Sequence, residues 1–214
     1  MKRLKKKAVK VLIIIAAAWA VLFSGFTVVS HAVYHRSDMA TVIEIVIRLT
    51  GTKSMFSDAD VCAAFISQRE SLNEVRYELP SSVTFDVTVL EDDFEGMQTY
   101  YLNKTENNDS VILYLHGGAY VNQMADLQWE LCNSLASKIN AEVIVPIYPL
   151  APVHTWDQTY LLLSNLYKNM INQYDDKKIV IMGDSAGGGL AAAFCEYLGQ
   201  EGINQPDNLI LFSP

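Results

Sequence analysis

The sequence predicts an α/β protein whose central sheet is mostly parallel and carries helices on both faces. Two observations lead to this fold class. Four short, fully apolar runs follow one another at residues 111–115, 143–147, 179–182 and 209–212, and helical stretches lie between them at about 125–139, 156–174 and 187–198. Continuous apolar runs of this length are typical of strands that are covered on both faces. Their alternation with helices indicates a parallel sheet.

Composition sets the first limits on function. The 214 residues are 50% hydrophobic and 19% charged, which favours a folded core over disorder. Three scattered cysteines predict neither a disulfide framework nor a zinc site, but small side chains within the core. Of the 16 basic residues, six lie in the first ten positions, so the rest of the chain is strongly acidic. Such a body excludes nucleic acid as a partner, because phosphate contacts need Lys and Arg on the folded surface.

The first 34 residues predict a membrane-targeting segment. A basic head at 1–10 is followed by an apolar stretch without charge at 11–34, long enough for a transmembrane helix. The positive charges place the N-terminus in the cytoplasm and the remainder of the chain outside. A cleaved signal peptide is the alternative, with Ser30-His31-Ala32 as its cleavage site and secretion near Ala32 as the result.

Residues 35–80 predict two amphipathic helices. In the first, apolar residues recur at helical spacing from Met39 to Ile47, Glu44 and Arg48 pair on the other side, and Gly51 ends the helix. Ser57 and Asp60 form a capping-box pattern at the start of the second, which spans about 58–72. We expect both helices to bury their apolar faces against a later part of the chain.

A hairpin is expected next, at the beginning of a domain that spans 81–214. The strict alternation at 83–89 predicts a half-buried strand, and 97–102 reads as the returning strand. The acidic cluster at 91–95, together with Gly96, is expected to form the solvated turn between them.

The motif GDSAGG at positions 183–188 follows one predicted strand directly and opens the next helix. A sharp strand-to-helix turn needs small residues beside its nucleophile, here Gly183 and Gly187, and it exposes the hydroxyl of Ser185 at the carboxyl end of the sheet. Asp184 and Ala186 complete the motif. A tight turn with a capping serine is the alternative. The similar GDSGG of chymotrypsin-like proteases does not fit, because those are all-β enzymes whose His and Asp precede the serine.

A second motif, HGGAY at 116–120, follows the strand at 111–115. Acyl transfer passes through an oxyanion that needs preorganised backbone N–H donors. We expect Gly117, Gly118 and Ala186 to supply three of them, with His116 bracing the loop. An ordinary strand-ending turn is the alternative.

HGGAY, YPLAP at 148–152 and GDSAGG, in this order, resemble the α/β-hydrolase fold-3 family, the esterases similar to hormone-sensitive lipase. The resemblance runs from about residue 83 to 214. It implies a serine hydrolase that acts on small carboxylic esters of short or medium acyl chain, without cofactor or metal. It also implies a helical cap, a role that 35–80 could fill. Ala119 and Val153 depart from the family pattern.

The family's catalytic triad is incomplete in this chain. In this fold the acid and then the histidine follow the serine, whereas all four histidines (His31, His35, His116 and His154) precede Ser185. We therefore expect the chain to be the front part of a longer hydrolase, inactive alone, with its acid and base beyond residue 214. A non-catalytic remnant or binding module is one alternative, and a glycan deacetylase another. The sequence does not predict an oligomeric state.

Overall fold

A computed structural model describes residues 18–49 and 57–214. The chain divides into two compact units, Met1–Ala63 and Ala64–Pro214. The predicted basic head, the first seven residues of the predicted membrane segment, and Gly51 lie outside the described residues.

The second unit contains a sheet of six strands. They are β1 (Val89–Phe94), β2 (Met97–Leu102), β3 (Ser110–Leu115), β4 (Glu142–Pro146), β5 (Lys178–Asp184) and β6 (Asn208–Phe212). Their spatial order is β1-β2-β4-β3-β5-β6. The first two pairings, β1 with β2 and β2 with β4, are antiparallel, and the other three are parallel. The predicted mostly parallel sheet is confirmed, and its four apolar runs are β3, β4, β5 and β6.

Helices cover both faces of this sheet. The described helices of at least twelve residues are α1 (Asp38–Leu49), α2 (Ala59–Asn73), α3 (Asp126–Lys138), α4 (Trp156–Gln173) and α5 (Ser185–Gln200). On one face, α4 and α5 bury Leu163 and Phe194 in a large apolar core. On the other face, α3 buries Trp129 and Cys132. Both layers are almost fully buried, which is why β3 after Ser110 and β4 after Glu142 are apolar.

The expected strand at 83–89 is wrong. Residues 83–88 belong to no strand, residues 86 and 87 form a bend, and β1 begins only at Val89. The side chain of Asn133 on α3 takes the place of a neighbouring strand: its Oδ1 accepts from the Asp86 N–H (2.8 Å) and its Nδ2 donates to the Thr84 carbonyl (3.4 Å). The alternation of apolar and polar residues at 83–89 therefore arises because Val83 and Phe85 pack against α3, and it does not indicate a β-strand there.

The expected turn at 91–95 is also wrong in its extent. Residues 91–94 belong to β1, and the reversal takes only Glu95 and Gly96, both at positive φ (52° and 86°). Two-residue loops with this geometry match the twist of the flanking strands. The acidic residues before Glu95 are strand residues, and β2 at 97–102 is confirmed.

At α2, the predicted capping residue is off by one. Asp58, not Ser57, caps the helix, because Asp58 Oδ1 accepts from the N–H groups of Asp60 (3.0 Å) and Val61 (3.1 Å). No residue of α2 is buried, so its expected apolar stripe does not enter a core within the described residues.

In the first unit, residues 18–28 are helical and run into a π-helical turn, Val29–Val33, before α1. The predicted Glu44–Arg48 pair is confirmed at 2.5 Å. The predicted apolar stripe of α1 is exposed. The one buried residue of this helix is Thr41. Within 18–49 and 57–214, every helix is too short or too polar to cross a membrane.

Candidate active site

Ser185 stands at the tip of a sharp turn between β5 and α5. It is the first residue of α5, two positions earlier than the sequence predicts, and its side chain is exposed. Its φ of 48° lies in the left-handed region, which is uncommon for a residue other than glycine and costs of order 1–3 kcal/mol. Such strain at an exposed serine is typical of the nucleophile elbow.

The two glycines beside the turn are required by close backbone contacts. A Cβ on Gly183 would lie 2.4 Å from the carbonyl oxygen of Gly187. A Cβ on Gly187 would lie 2.1 Å from the Leu115 oxygen and 2.4 Å from the His116 oxygen. The start of α5 thus rests directly on the backbone where β3 ends. This close contact is the physical reason why small residues are needed on both sides of Ser185, as the sequence predicts.

Ala186 is the second residue of α5. The N–H groups of a first helical turn have no partner inside the helix, and they carry the positive end of its dipole. The Ala186 N–H belongs to this turn, and its role as a donor to an anionic oxygen close to Ser185 stays a prediction.

The loop after β3 follows an unusual backbone path. Gly118, Ala119 and Tyr120 all have positive φ, at 142°, 54° and 63°. A Cβ on Gly118 would lie 2.5 Å from the carbonyl oxygen of Asn122. The backbone N–H of Asn122 donates to the carbonyl oxygen of Gly118. Among the described residues, the N–H groups of Gly118 and Ala119 have no acceptor.

Asp184, the residue before Ser185, ties this loop to the elbow. Its carboxylate accepts hydrogen bonds from the Gly117 N–H (2.9 Å), the Tyr114 hydroxyl (2.6 Å) and Gln128 Nε2 (2.9 and 3.0 Å). Burial and the bond to Asp184 raise the pKa of Tyr114 above its usual range, so it donates as a neutral phenol. From the sequence, Asp184 is recognised only as part of a motif, and no pattern indicates that Tyr114 and Gln128 contact it.

The bond to Asp184 has a consequence for Gly117. Its N–H is already donated to a carboxylate, so it does not point at a substrate oxygen in this conformation. Gly117 is also buried, and a Cβ there would lie 2.4 Å from Asp184 Oδ2. The predicted role of Gly117 as an oxyanion donor is therefore disfavoured by the structure, while its place in the loop is as expected.

His116 is fully buried and braces the loop, as expected. Its ring stacks on Tyr148 with centroids 4.4 Å apart, and Nδ1 donates to the Gly117 oxygen (2.9 Å). The Tyr148 hydroxyl in turn donates to the His116 oxygen (2.5 Å). Burial lowers the pKa of His116 to about 4, so the ring is neutral at pH 7. Stacking partner and hydrogen bond fix His116 as a structural residue.

His154 lines a cleft together with Tyr148, but its ring is hydrogen-bonded to a residue outside this network. Its Nδ1 donates to Gln158 Oε1 (3.1 Å) on the first turn of α4. The remaining histidines, His31 and His35, lie in the first unit. The structure thus brings together the residues of the two glycine motifs and does not add a histidine to them.

An apolar cleft of about 260 Å³ opens beside the first turns of α5. Gly189, one helical turn after Ser185, lies in its wall. The other walls come from the loop after β3, from the segment after β4 and from the start of α4, and they include Tyr120, Tyr148, Tyr160, Leu190 and Ala193.

A parallel sheet, a strained serine between a strand and a helix, and a glycine loop at the neighbouring strand define the α/β-hydrolase class of proteins. Comparison with known proteins agrees. Residues 112–214 match the family model described as alpha/beta hydrolase fold, and over these residues the chain resembles that family. The resemblance to its fold-3 esterases is thereby confirmed.

Relatives with this similarity include an esterase of Acinetobacter venetianus, 35% identical over 49% of this chain and 35% of its own length. Neutral cholesterol ester hydrolase 1 of Bos taurus is 31% identical over 58% of this chain and 32% of its own. Among solved structures, a Staphylococcus aureus protein assigned to the esterases is 28% identical, with a TM-score of 0.69 over 73% of this chain and 53% of its own. The chain thus spans about a third of the length of these two curated relatives and about half of the solved structure.

Proposed function

We propose that this chain carries the nucleophile and oxyanion hole of a serine hydrolase that cleaves carboxylic esters. One observation carries the proposal: Ser185 is held at positive φ on an elbow whose helix rests on the carbonyls of Leu115 and His116, next to the glycine loop. The relatives named as esterases and as an ester hydrolase support the same reaction class.

In the proposed reaction, Ser185 Oγ attacks the ester carbonyl carbon and loses its proton to a histidine base. The alcohol leaves with that proton, and water then releases the acid from the acyl-serine by the same route. We assign the oxyanion to the N–H groups of Ala186, Gly118 and Ala119. Ala119 replaces Gly117 of the sequence prediction because the Gly117 N–H is donated to Asp184.

The base and acid of the triad are, on this proposal, supplied from outside these 214 residues. His116 is buried and bonded to Gly117, and His154 is bonded to Gln158. His116 is therefore a poor candidate for activating Ser185, and among the described residues neither histidine is hydrogen-bonded to Ser185. If no such base is supplied, the chain keeps a pocket that turns over nothing, as the non-catalytic alternative expects.

The cleft supports esters with a short or medium acyl chain. Its volume of about 260 Å³ lies just below the range of roughly 300–1,000 Å³ typical of pockets for drug-sized ligands. Its aromatic and aliphatic walls suit an alkyl group, and Gly189 places it one helical turn from Ser185.

Replacing Ser185 by alanine in the complete gene product tests the assignment. We expect hydrolysis of p-nitrophenyl butyrate to fall by roughly 10⁴–10⁶-fold, while Ser137→Ala, at an exposed serine of α3, retains the parent rate. A Ser185→Ala protein that keeps the parent rate would refute the proposed nucleophile. A parent protein without activity would favour the non-catalytic alternative.

We also propose that residues 11–34 anchor the protein in a membrane, with the hydrolase unit outside the cytoplasm. The support is the uncharged apolar run that follows six basic residues. Protease added to intact cells should then digest the hydrolase unit. A hydrolase unit that becomes sensitive only after lysis would contradict this orientation, and release of a shortened chain into the medium would favour the signal-peptide alternative.

A further inference from the structure

The polarity of residues 18–49 is inverted relative to that of a water-soluble helical pair. Eight of these residues are buried or half-buried, and six of the eight are polar: Thr27, Ser30, Arg36, Asp38, Thr41 and Glu44. Except for Phe26, the large apolar side chains are exposed instead, and Leu22, Met39 and Ile43 are 66%, 67% and 51% exposed. In water such a pair would be unfavourable for two reasons: its apolar surface would be exposed to solvent, and its polar groups would be removed from solvent.

The buried polar groups are used to join α1 to the helix before it. Thr27 Oγ1 donates to Asp38 Oδ2 (2.9 Å), and His31 Nε2 lies 3.6 Å from Asp38 Oδ1. Glu44 forms ion pairs with both Arg36 and Arg48. The Thr27–Asp38 bond therefore joins the two helices, whereas the ion pairs of Glu44 lie within α1 and with the segment just before it. Polar side chains that pair with one another, while apolar side chains face outward, are typical of protein in contact with lipid.

Large exposed apolar side chains lie on both helices of residues 18–49. On the first helix they include Trp19, Val21, Leu22 and Phe23, and on α1 they include Met39, Val42, Ile43, Val46 and Leu49. A partner protein would cover one side of such a pair, whereas a lipid phase contacts every outward side chain. Residues 18–34 also belong to the uncharged run of the sequence that begins at residue 11, which makes the bilayer the fitting occupant.

We propose that α1 inserts its apolar face into the lipid bilayer as a second, interfacial arm of the membrane attachment. Its 12 residues give a length of about 18 Å, too short for a hydrocarbon core of about 30 Å. The helix therefore lies along one leaflet with the exposed side chain of Arg48 toward the headgroups, as amphipathic interfacial helices do. This inference rests on the proposed membrane attachment and is independent of the esterase reaction. It differs from the cap role that the sequence suggests for this helix.

Site-directed spin labelling tests this insertion in the full chain, reconstituted into vesicles of phosphatidylcholine and phosphatidylglycerol. Single labels are placed through Ile43→Cys, Val46→Cys and Arg48→Cys, with Cys62 and Cys195 changed to serine and the buried Cys132 retained. Collision with oxygen reports contact with lipid, and collision with a water-soluble nickel chelate reports contact with water. Flotation of the vesicles on a density gradient shows whether the protein is attached to them at all.

We expect the protein to float, the labels at positions 43 and 46 to collide more with oxygen, and the label at 48 to shift toward the nickel chelate. Floating protein with labels 43 and 46 open to the nickel chelate would overturn the inference but leave the attachment in place. Low collision with both reagents would also overturn it, since a second copy or another part of the chain would then cover α1. Protein that does not float would overturn both the inference and the attachment.

Discussion

The carboxylate of Asp184 accepts a hydrogen bond from the Gly117 N–H at 2.9 Å. This bond joins the residue before the candidate nucleophile to the loop that faces it, across two neighbouring strands, β5 and β3. Tyr114 and Gln128 donate to the same carboxylate. The elbow and the glycine loop are therefore held as one structure, and a change at Asp184 should be felt in both.

Asp184→Ala should destabilise the protein. The substitution removes the acceptor of three donor groups and leaves the buried Gly117 N–H unpaired, so we expect a loss of about 2–3 kcal/mol in the free energy of unfolding. Urea denaturation followed by tryptophan fluorescence measures it. The control is Asp175→Ala, at an exposed aspartate, which should change stability by less than about 0.5 kcal/mol. Equal effects from the two substitutions would contradict the role given to Asp184.

His116 should make stability depend on pH between about 6.5 and 4. Burial lowers its folded-state pKa to about 4, whereas a histidine in an unfolded chain titrates near 6.5. The unfolded chain therefore binds the proton more readily, and stability is lost as the pH falls through this window. Between pH 7 and pH 5 the loss from this residue should be about 2 kcal/mol.

The measurement is the free energy of unfolding at pH 7 and pH 5 for the parent, His116→Asn and His154→Gln. We expect His116→Asn to be less stable at pH 7, because it loses the stacking on Tyr148, but to lose less stability on acidification. His154→Gln should retain the parent's pH dependence. A His116→Asn protein with an unchanged pH dependence would mean that His116 is not the buried neutral ring described above.

Gly187→Ala should be far more damaging than alanine at another glycine of the same helix. The added Cβ would lie 2.1 Å from the Leu115 oxygen, and backbone on both sides prevents relief, so we expect a loss of about 3 kcal/mol or more. At Gly199, also in α5, the nearest atom is the flexible end of Gln205 at 3.4 Å. Gly199→Ala should be neutral or stabilise by up to about 1 kcal/mol. Thermal unfolding of the two variants decides the matter, and similar melting temperatures would count against the close contact.

Ala193→Phe should shorten the accepted acyl chain. Ala193 is exposed and lines the cleft beside α5, so a phenyl ring there would occupy the space proposed for the alkyl group. We expect kcat/KM for p-nitrophenyl butyrate to fall roughly tenfold, with a much smaller change for the acetate ester, which serves as the internal control. An equal loss on both esters would place the acyl group elsewhere.

The sequence predicts the sheet and the elbow well because both follow from local patterns. All four apolar runs correspond to strands, of which β3, β4 and β5 are mostly buried and β6 at the sheet edge is mostly exposed. Glycines at 183 and 187 are needed because the strand turns sharply into a helix there. It fails where a distant side chain replaces a local partner. Asn133 supplies hydrogen bonds to residues 84–86 that would otherwise come from a strand, and no periodicity reveals this.

Two further features, the available N–H groups of the glycine loop and the buried face of α1, depend on tertiary contacts that the spacing of residues in the sequence does not reveal. The Gly117 N–H is directed to Asp184, 67 residues later in the chain, so the order of glycines alone does not tell which N–H groups remain available. Likewise, the apolar spacing of α1 indicates an amphipathic helix correctly. Which of its faces meets protein depends on the pairing of Asp38 with Thr27, which buries the polar side.

Reaction with a fluorophosphonate tests the central claim most directly, because the reagent labels a serine only when its hydroxyl is activated. The complete gene product should be labelled rapidly, and peptide mapping should locate the label on Ser185. Ser185→Ala should abolish the labelling, and Ser137→Ala should leave it unchanged. A complete protein that is not labelled, or that carries the label on a different serine, would contradict the proposal that Ser185 is the nucleophile of an esterase.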